Sequence, residues 1–186
     1  MHKTQIRKHI SYKKKCLTQT KISSSSQNFW LQLSKHNAFI ASTHIAFYYP
    51  FKNELDVMLA LRHAIKAGKK CYLPYIENSS NTLKFIYFDD DTSLTQGPYG
   101  ITCPIVTSSS LFIAPNALEL VIMPVVAIDK YNNRVGMGKG YYDKTFSFKK
   151  VPNNKPTLIA ACYEFQLIPN IAPDPWDIQL DDYIIA

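Results

Sequence analysis

Two kinds of hydrophobic pattern take turns along this chain. Leu120–Ile128 is an apolar run of nine residues, interrupted by Pro124 and set between polar segments, and it predicts a buried strand. Leu83–Phe88 and Thr157–Cys162 predict strands in the same way, and Tyr183–Ile185 a last one. Ala41–Tyr49 is apolar, aromatic and β-branched and ends at Pro50, which suits a further buried strand; Lys70–Leu73 reads as a short one ending at Pro74. The second pattern is helical. Leu55, Met58, Leu59, Leu61 and Ile65 recur at helical spacing, with Asn53 as an N-cap candidate and Gly68 as the stop. Ile6–Leu17 reads as a helix that breaks near Thr18, and Asn28–Lys35 as a second helical piece. The four serines Ser23–Ser26 read as a loop or local break before it. Asp89–Gly100 has turn chemistry, and Tyr141 onward is helical for a few turns. Strands alternating with helices predict an α/β fold: a single domain over residues 1–186, with a largely parallel central sheet flanked by helices.

Composition narrows the class. The 186 residues are 46% hydrophobic and 19% charged, enough to bury a core without disulfides or a structural metal. A membrane-spanning helix needs about 20 apolar residues, more than the longest run supplies. Cys16, Cys71, Cys103 and Cys162 lie far apart with no C-x-x-C pair, and no apolar signal segment precedes them, so a reducing cytoplasm is the expected setting. Charge is uneven. Residues 1–53 hold nine basic residues and no Asp or Glu, whereas the other 133 hold 12 basic and 14 acidic groups. The basic helical segment at about 1–22 therefore expects an anionic partner. A solvated lysine-rich helix, an organelle transit peptide and a phosphate-binding element of the folded domain all fit that composition.

The chemistry concentrates in Val121–Asp143, VIMPVVAIDKYNNRVGMGKGYYD. A strand runs into a loop with Gly136, Gly138 and Gly140 spaced by two. Such glycines permit positive φ and let a ligand approach the main chain, and consecutive N–H groups there can bind an anion. Arg134 and Lys139 add full positive charges, and Asp143 follows at a distance suited to a magnesium-bound or base role. Lys139 precedes Gly140 rather than Ser or Thr, so this is not a Walker A loop.

This run resembles the signature of the 5-formyltetrahydrofolate cyclo-ligase family, D-x-x-G-x-R-L-G-x-G-x-G-Y-Y-D after a strand with Pro. The matching residues are Pro124, Asp129, Arg134, Gly136, Gly138, Gly140, Tyr141, Tyr142 and Asp143. Val135 replaces the usual Leu, Met137 stands where many members carry Arg, and Asn132 stands where Gly is common, a place that calls for positive φ. The likeness spans almost the whole chain, from Lys3-x-x-Ile6-Arg7 through Ala46–Asp56, Gly68–Pro74 and Gly97–Pro104 to Trp176-Asp177 and Leu180-Asp181.

The resemblance implies a fold similar to the NagB/RpiA/CoA-transferase-like type and an ATP-dependent ligase that converts 5-formyltetrahydrofolate to 5,10-methenyltetrahydrofolate. It implies ATP binding by Lys3, Arg7, Arg134, Gly136, Met137, Gly138, Lys139, Gly140, Tyr141 and Tyr142, with Lys139 and Arg134 catalytic. It places folate on Tyr49, Glu54, Tyr99 and Tyr141, and Mg2+ on Asp143 and Asp177, with Asp181 the weaker choice for the second carboxylate. Small-molecule substrates, a monomer, and no nucleic-acid or membrane partner are expected. Two alternatives stand beside it: a nucleic-acid-binding module using the basic arm, in which Tyr12 is the lone aromatic residue, and a kinase or sugar-phosphate enzyme of related α/β fold. The five histidines show no metal-ligand spacing.

Overall fold

The basic N-terminal stretch folds into two helices, α1 (Lys3–Lys15) and α2 (Gln19–Leu33), followed by a short α3 (Asn37–Ala41). The structure, a computed structural model, describes residues 2–77, 80–151 and 155–186. Beyond α3 come β1 (His44–Ala46), α4 (Met58–Lys66), β2 (Lys70–Ile76), β3 (Leu83–Phe88), β4 (Leu94–Gln96), β5 (Thr102–Pro104) and β6 (Phe112–Ile113). The second half runs β7 (Leu120–Pro124), β8 (Ala127–Asp129), β9 (Arg134–Val135), α5 (Tyr141–Thr145), β10 (Thr157–Cys162), β11 (Leu167–Ile168) and β12 (Asp182–Ile185).

Seven strands form the main sheet in the order β12-β10-β7-β1-β2-β3-β6. The first five are mutually parallel, and β3 and β6 extend the edge antiparallel. The sheet is covered on both faces, and the period of two along each strand divides its side chains between two cores. Ile45, Leu120, Ile122, Ile159 and Ala161 face the layer of α2 and α4, where Phe29, Leu33, Leu61 and Ala64 pack. Ala46, Val121, Met123, Leu158 and Ala160 face Phe146, Ile178 and Leu180 on the other side. A three-stranded sheet, β11-β8-β9, stands apart and supports α1: Ile6 and Ile10 are buried against Val126, Ala127, Val135 and Ile171. The α1 stretch is thus part of the folded body.

Several elements differ from the sequence reading. Ser23–Ser26 lie inside α2, with Ser25 and Ser26 buried. Serine lowers helix propensity only modestly relative to alanine, and the anchoring of Phe29 and Leu33 outweighs that. The break at Thr18 does occur, where the Thr18 hydroxyl accepts from the Lys21 N–H (3.2 Å) and caps α2. Of Ala41–Tyr49 only His44–Ala46 is strand, since α3 takes the start, while Phe47 and Tyr48 stay buried in extended chain. Asn53 is not the N-cap of α4. It sits at φ 56° and its amide donates to the Lys14 carbonyl (2.9 Å), and Asp56 instead accepts from Met58 N–H (2.9 Å). Strand β2 runs on through Pro74 to Ile76, because β1 ends opposite Tyr72 and leaves β2 with one neighbour there. No helix among the described residues is long and apolar enough to cross a membrane.

Candidate active site

A cavity of about 970 Å3 opens past the carboxyl ends of β1, β2 and β7. Tyr48 and Tyr49 reach it from the end of β1, Pro74 and Ile76 from β2, and Pro124–Val126 from β7. In open α/β sheets this end is where ligands bind, because the loops there diverge and leave a crevice. The cavity brings together Lys3, Arg7, Tyr49, Glu54, Tyr99, Arg134, the stretch 136–142, Asp143 and Asp177, from both ends of the chain and its middle. Asp181 lies elsewhere: its carboxylate accepts from Leu158 N–H (2.7 Å) and pairs with Lys149 (3.1 Å), which gives it a role in holding the sheet.

The glycine loop forms one wall. Gly138 and Gly140 take φ of 99° and 71°, and Asn132 takes 63° as its position demands, whereas Gly136 does not need a left-handed backbone. A Cβ on Gly136 would lie 3.3 Å from an Arg134 nitrogen, so close approach is its reason. Helix α5 has only five residues, so the positive field here comes from side chains rather than from a helix terminus. Arg134 is buried and donates from Nη2 to Asp143 Oδ1 (2.6 Å); its Nε is buried without an acceptor among the described residues. The Arg7 Nε donates to the Gly136 carbonyl (2.8 Å), which docks α1 onto the loop. Lys139 holds its ammonium 5.1 Å above the Tyr99 ring, and the Tyr99 and Tyr141 hydroxyls meet at 3.4 Å. Tyr99 takes φ 62° in the Gly97–Gly100 turn and stands exposed at the cavity lip, as do Met137 and Trp176.

The C-terminal segment closes that wall. Asp143 Oδ1 also accepts from Ile178 N–H (3.1 Å), which sets the Asp143 carboxylate beside the backbone that carries Asp177. Asp177 Oδ2 takes the Lys3 ammonium (2.5 Å) and the Asp174 N–H (2.8 Å), and Asp174 Oδ2 takes the same ammonium at 2.7 Å. Burial works against the charged Lys3, but its hydrogen bonds to Asp174 and Asp177 prevail and raise its pKa. Among the described residues no three His, Cys, Asp or Glu side chains converge on one point. Two carboxylates with their open oxygens on a cavity rich in cations fit an ion carried in by phosphate oxygens, not one bound by protein ligands alone.

The opposite wall is apolar and aromatic, with Tyr49, Phe51, Ile76, Leu83 and Ile101. Glu54 is the acid on that wall. It is half-buried, and Oε2 accepts from Phe51 N–H (3.1 Å). Burial pushes its carboxyl above the ordinary range, while the Lys14 charge and the Phe51 N–H pull it back. Asp174, between Pro173 and Pro175 and three residues ahead of Asp177, lines the cavity without having been singled out as a site residue in the sequence, as do Tyr48 and Trp176.

A family model described as the 5-formyltetrahydrofolate cyclo-ligase family matches residues 1–186. The chain belongs to this enzyme family. Curated cyclo-ligases similar to it include the 5-formyltetrahydrofolate cyclo-ligase of Escherichia coli K12, 25% identical over 172 residues covering 92% of this chain and 93% of the relative. That of Mycoplasma genitalium is 31% identical over 140 residues, 74% of this chain and 69% of the relative. Among solved structures, the 5,10-methenyltetrahydrofolate synthetase of Aquifex aeolicus superposes with TM-score 0.83 at 26% identity, covering 100% of this chain and 90% of that one. The synthetase of Mycoplasma pneumoniae gives TM-score 0.77 at 26% identity, covering 99% and 98%. The mostly parallel α/β architecture is shared with these cyclo-ligase structures.

Proposed function

We propose that this cyclo-ligase converts 5-formyltetrahydrofolate and MgATP to 5,10-methenyltetrahydrofolate, ADP and phosphate through a phosphorylated formyl group. The supporting observation is the two-sided cavity, cationic with carboxylates on one wall and aromatic with a single acid on the other. The cationic wall suits a triphosphate. Arg7, Arg134 and Lys139 supply charge where negative charge builds on the transferring phosphoryl group, and the loop of residues 136–142 lets phosphate oxygens approach the main chain. Arg134 brings a buried Nε with no acceptor among the described residues, a donor that suits an acceptor outside the chain. Asp143 and Asp177 would hold the magnesium that arrives with the nucleotide, and that ion neutralises phosphate charge. Tyr49, Tyr99 and Tyr141 would flank the flat pterin, and Glu54 would accept from its amino and amide edge.

The chemistry then needs position more than covalent help from the protein. The formyl oxygen attacks the γ-phosphorus, an O–P bond forms and the bond to the β-phosphate oxygen breaks, releasing ADP. The 10-nitrogen next attacks the activated formyl carbon. Its proton is lost, the C–O bond breaks, and phosphate leaves with the electron pair. Holding the two substrates on facing walls of one cavity makes the first step effectively unimolecular. The test is absorbance of methenyltetrahydrofolate formed from 5-formyltetrahydrofolate, with and without MgATP. Formation matched by equimolar ADP is expected; formation without nucleotide, or none at all, overturns the reading.

A further inference from the structure

Three lysines in a row end α1, and they are not equivalent. Lys13 and Lys15 are exposed, whereas Lys14 is 7% exposed. Burying an ammonium is costly unless an opposite charge compensates it. Yet Lys14 makes no contact ion pair among the described residues, and it does not line the cavity. The opposite charge that favours its ammonium is Glu54, on the apolar wall of the cavity. A short tether fixes their relation: Asn53 Nδ2 donates to the Lys14 carbonyl (2.9 Å), so the loop carrying Glu54 is fastened to the turn carrying Lys14. Asn53 holds φ 56° to make that bond.

We infer that Lys14 is a positioning residue for the folate half of the site, its buried ammonium the counter-charge that keeps the Glu54 carboxylate ionised against the cavity wall. This rests on the reading of Glu54 as the pterin acceptor. From the elements packed around it, the titratable groups facing Glu54 among the described residues are phenols that stay neutral near pH 7: Tyr48 past β1, Tyr142 on α5 and Tyr163 past β10; Lys52 lies on its own segment, exposed. Asp56 lies on its own segment, and the Cys162 thiol, which burial pushes up to about 12, sits near Lys14. Lys14 therefore provides the nearby positive charge, and it arrives on the same helix as Arg7 and Lys3. One helix would then serve both substrates, with its first two turns on phosphate and its last on the folate acid.

The experiment measures KM for 5-formyltetrahydrofolate, KM for ATP, and kcat/KM for folate against pH. The proteins are wild type, Lys14→Met, Lys14→Arg, Glu54→Gln and the Lys14→Met/Glu54→Gln double variant. Lys14→Met is expected to raise the folate KM most on the acid side of the profile, about tenfold at pH below the carboxylate's pKa, where each unit of raised pKa removes about tenfold of the ionised form, and progressively less as pH rises. It should move the acid limb of kcat/KM to higher pH, leave the ATP KM within about twofold, and be largely rescued by Lys14→Arg. The double variant should match Glu54→Gln alone. If Glu54→Gln raises the folate KM but Lys14→Met changes neither KM nor the limb, Lys14 has no such role and the folate wall stands. If Glu54→Gln leaves the folate KM unchanged, the pterin reading falls and this inference with it. A double variant much worse than Glu54→Gln, losing ATP and folate binding together, would make Lys14 a folding residue and overturn the inference too.

Discussion

Lys139 carries its charge between two glycines that hold left-handed backbone, and its ammonium rests over the Tyr99 ring. A cation with no counter-ion among the described residues is placed to meet phosphate. Removing an aligned charge of this kind costs about 10²-fold or more in phosphoryl transfer. Lys139→Ala should therefore lose about two orders of magnitude in turnover with a nearly unchanged melting temperature, since the ammonium rests on an exposed ring. Turnover near wild type in the purified variant would remove Lys139 from the chemistry. Residues of this sort were legible in the sequence because glycine spacing, Arg134, Lys139 and Asp143 sit in one run. Lys14 and Asp174 were not. Their roles depend on which of several similar charges the fold turns inward, and a row of lysines does not mark which one is buried.

Helix α1 is the element on which the proposed nucleotide half of the cavity depends. Its apolar stripe, Ile6 and Ile10, packs on the small sheet, so cutting away residues 1–10 would expose that cluster and confuse loss of binding with loss of structure. Arg7→Met is the cleaner change. It keeps the aliphatic stem but removes the bond to the Gly136 carbonyl and the charge above Gly138. Calorimetric titration should show ATP binding weakened about tenfold or more and folate binding nearly unchanged. An equal loss of both would rule out the division of the cavity into two walls. The Lys3 contacts add a pH signature. Its folded pKa lies above the ordinary 10.5, so its stabilising effect is full below that value and is lost as pH rises through the raised one. Alkaline melting curves of wild type and Lys3→Met should converge at high pH; a gap that persists there would assign the difference to packing. Other elements show how unevenly the sequence speaks. Strands β3 and β10 were legible to the residue because each is six residues long and apolar apart from one polar position, Lys84 in β3 and Thr157 in β10. Strands β4, β6, β9 and β11 have two or three residues apiece, too short for any period, and exist because a distant partner supplies their hydrogen bonds. The serine run in α2 failed for the converse reason, since the buried residues that hold it helical come after it.

At the scale of the molecule the cavity is a junction. It is lined by α1 from the start of the chain, by the loop ahead of α5 from its middle, and by residues 171–177 from its end. A ligand filling it adds to the contacts that already join these segments, the apolar cluster of Ile6, Ile10, Val135 and Ile171 and polar contacts such as Lys3 with Asp174 and Asp177 and Arg7 with Gly136. Binding to the native state alone stabilises it by RT ln(1 + [L]/Kd), about 2.7 kcal/mol at a hundredfold excess over Kd. For a domain of this size about 1 kcal/mol moves the melting temperature by about 2–4 °C. MgATP at a hundred times its Kd should thus raise the melting temperature by about 5–10 °C. The carboxylates proposed to meet magnesium add a second expectation. Asp143 and Asp177 each already spend one oxygen on protein donors, so the ion would rely on phosphate for most of its ligands. EDTA should then leave the melting temperature of the ligand-free protein unchanged and reduce the shift produced by ATP. A melting temperature that falls when EDTA is added to the ligand-free protein would mean a metal held by the chain itself, and would remove the assignment of Asp143 and Asp177 to a nucleotide-borne ion.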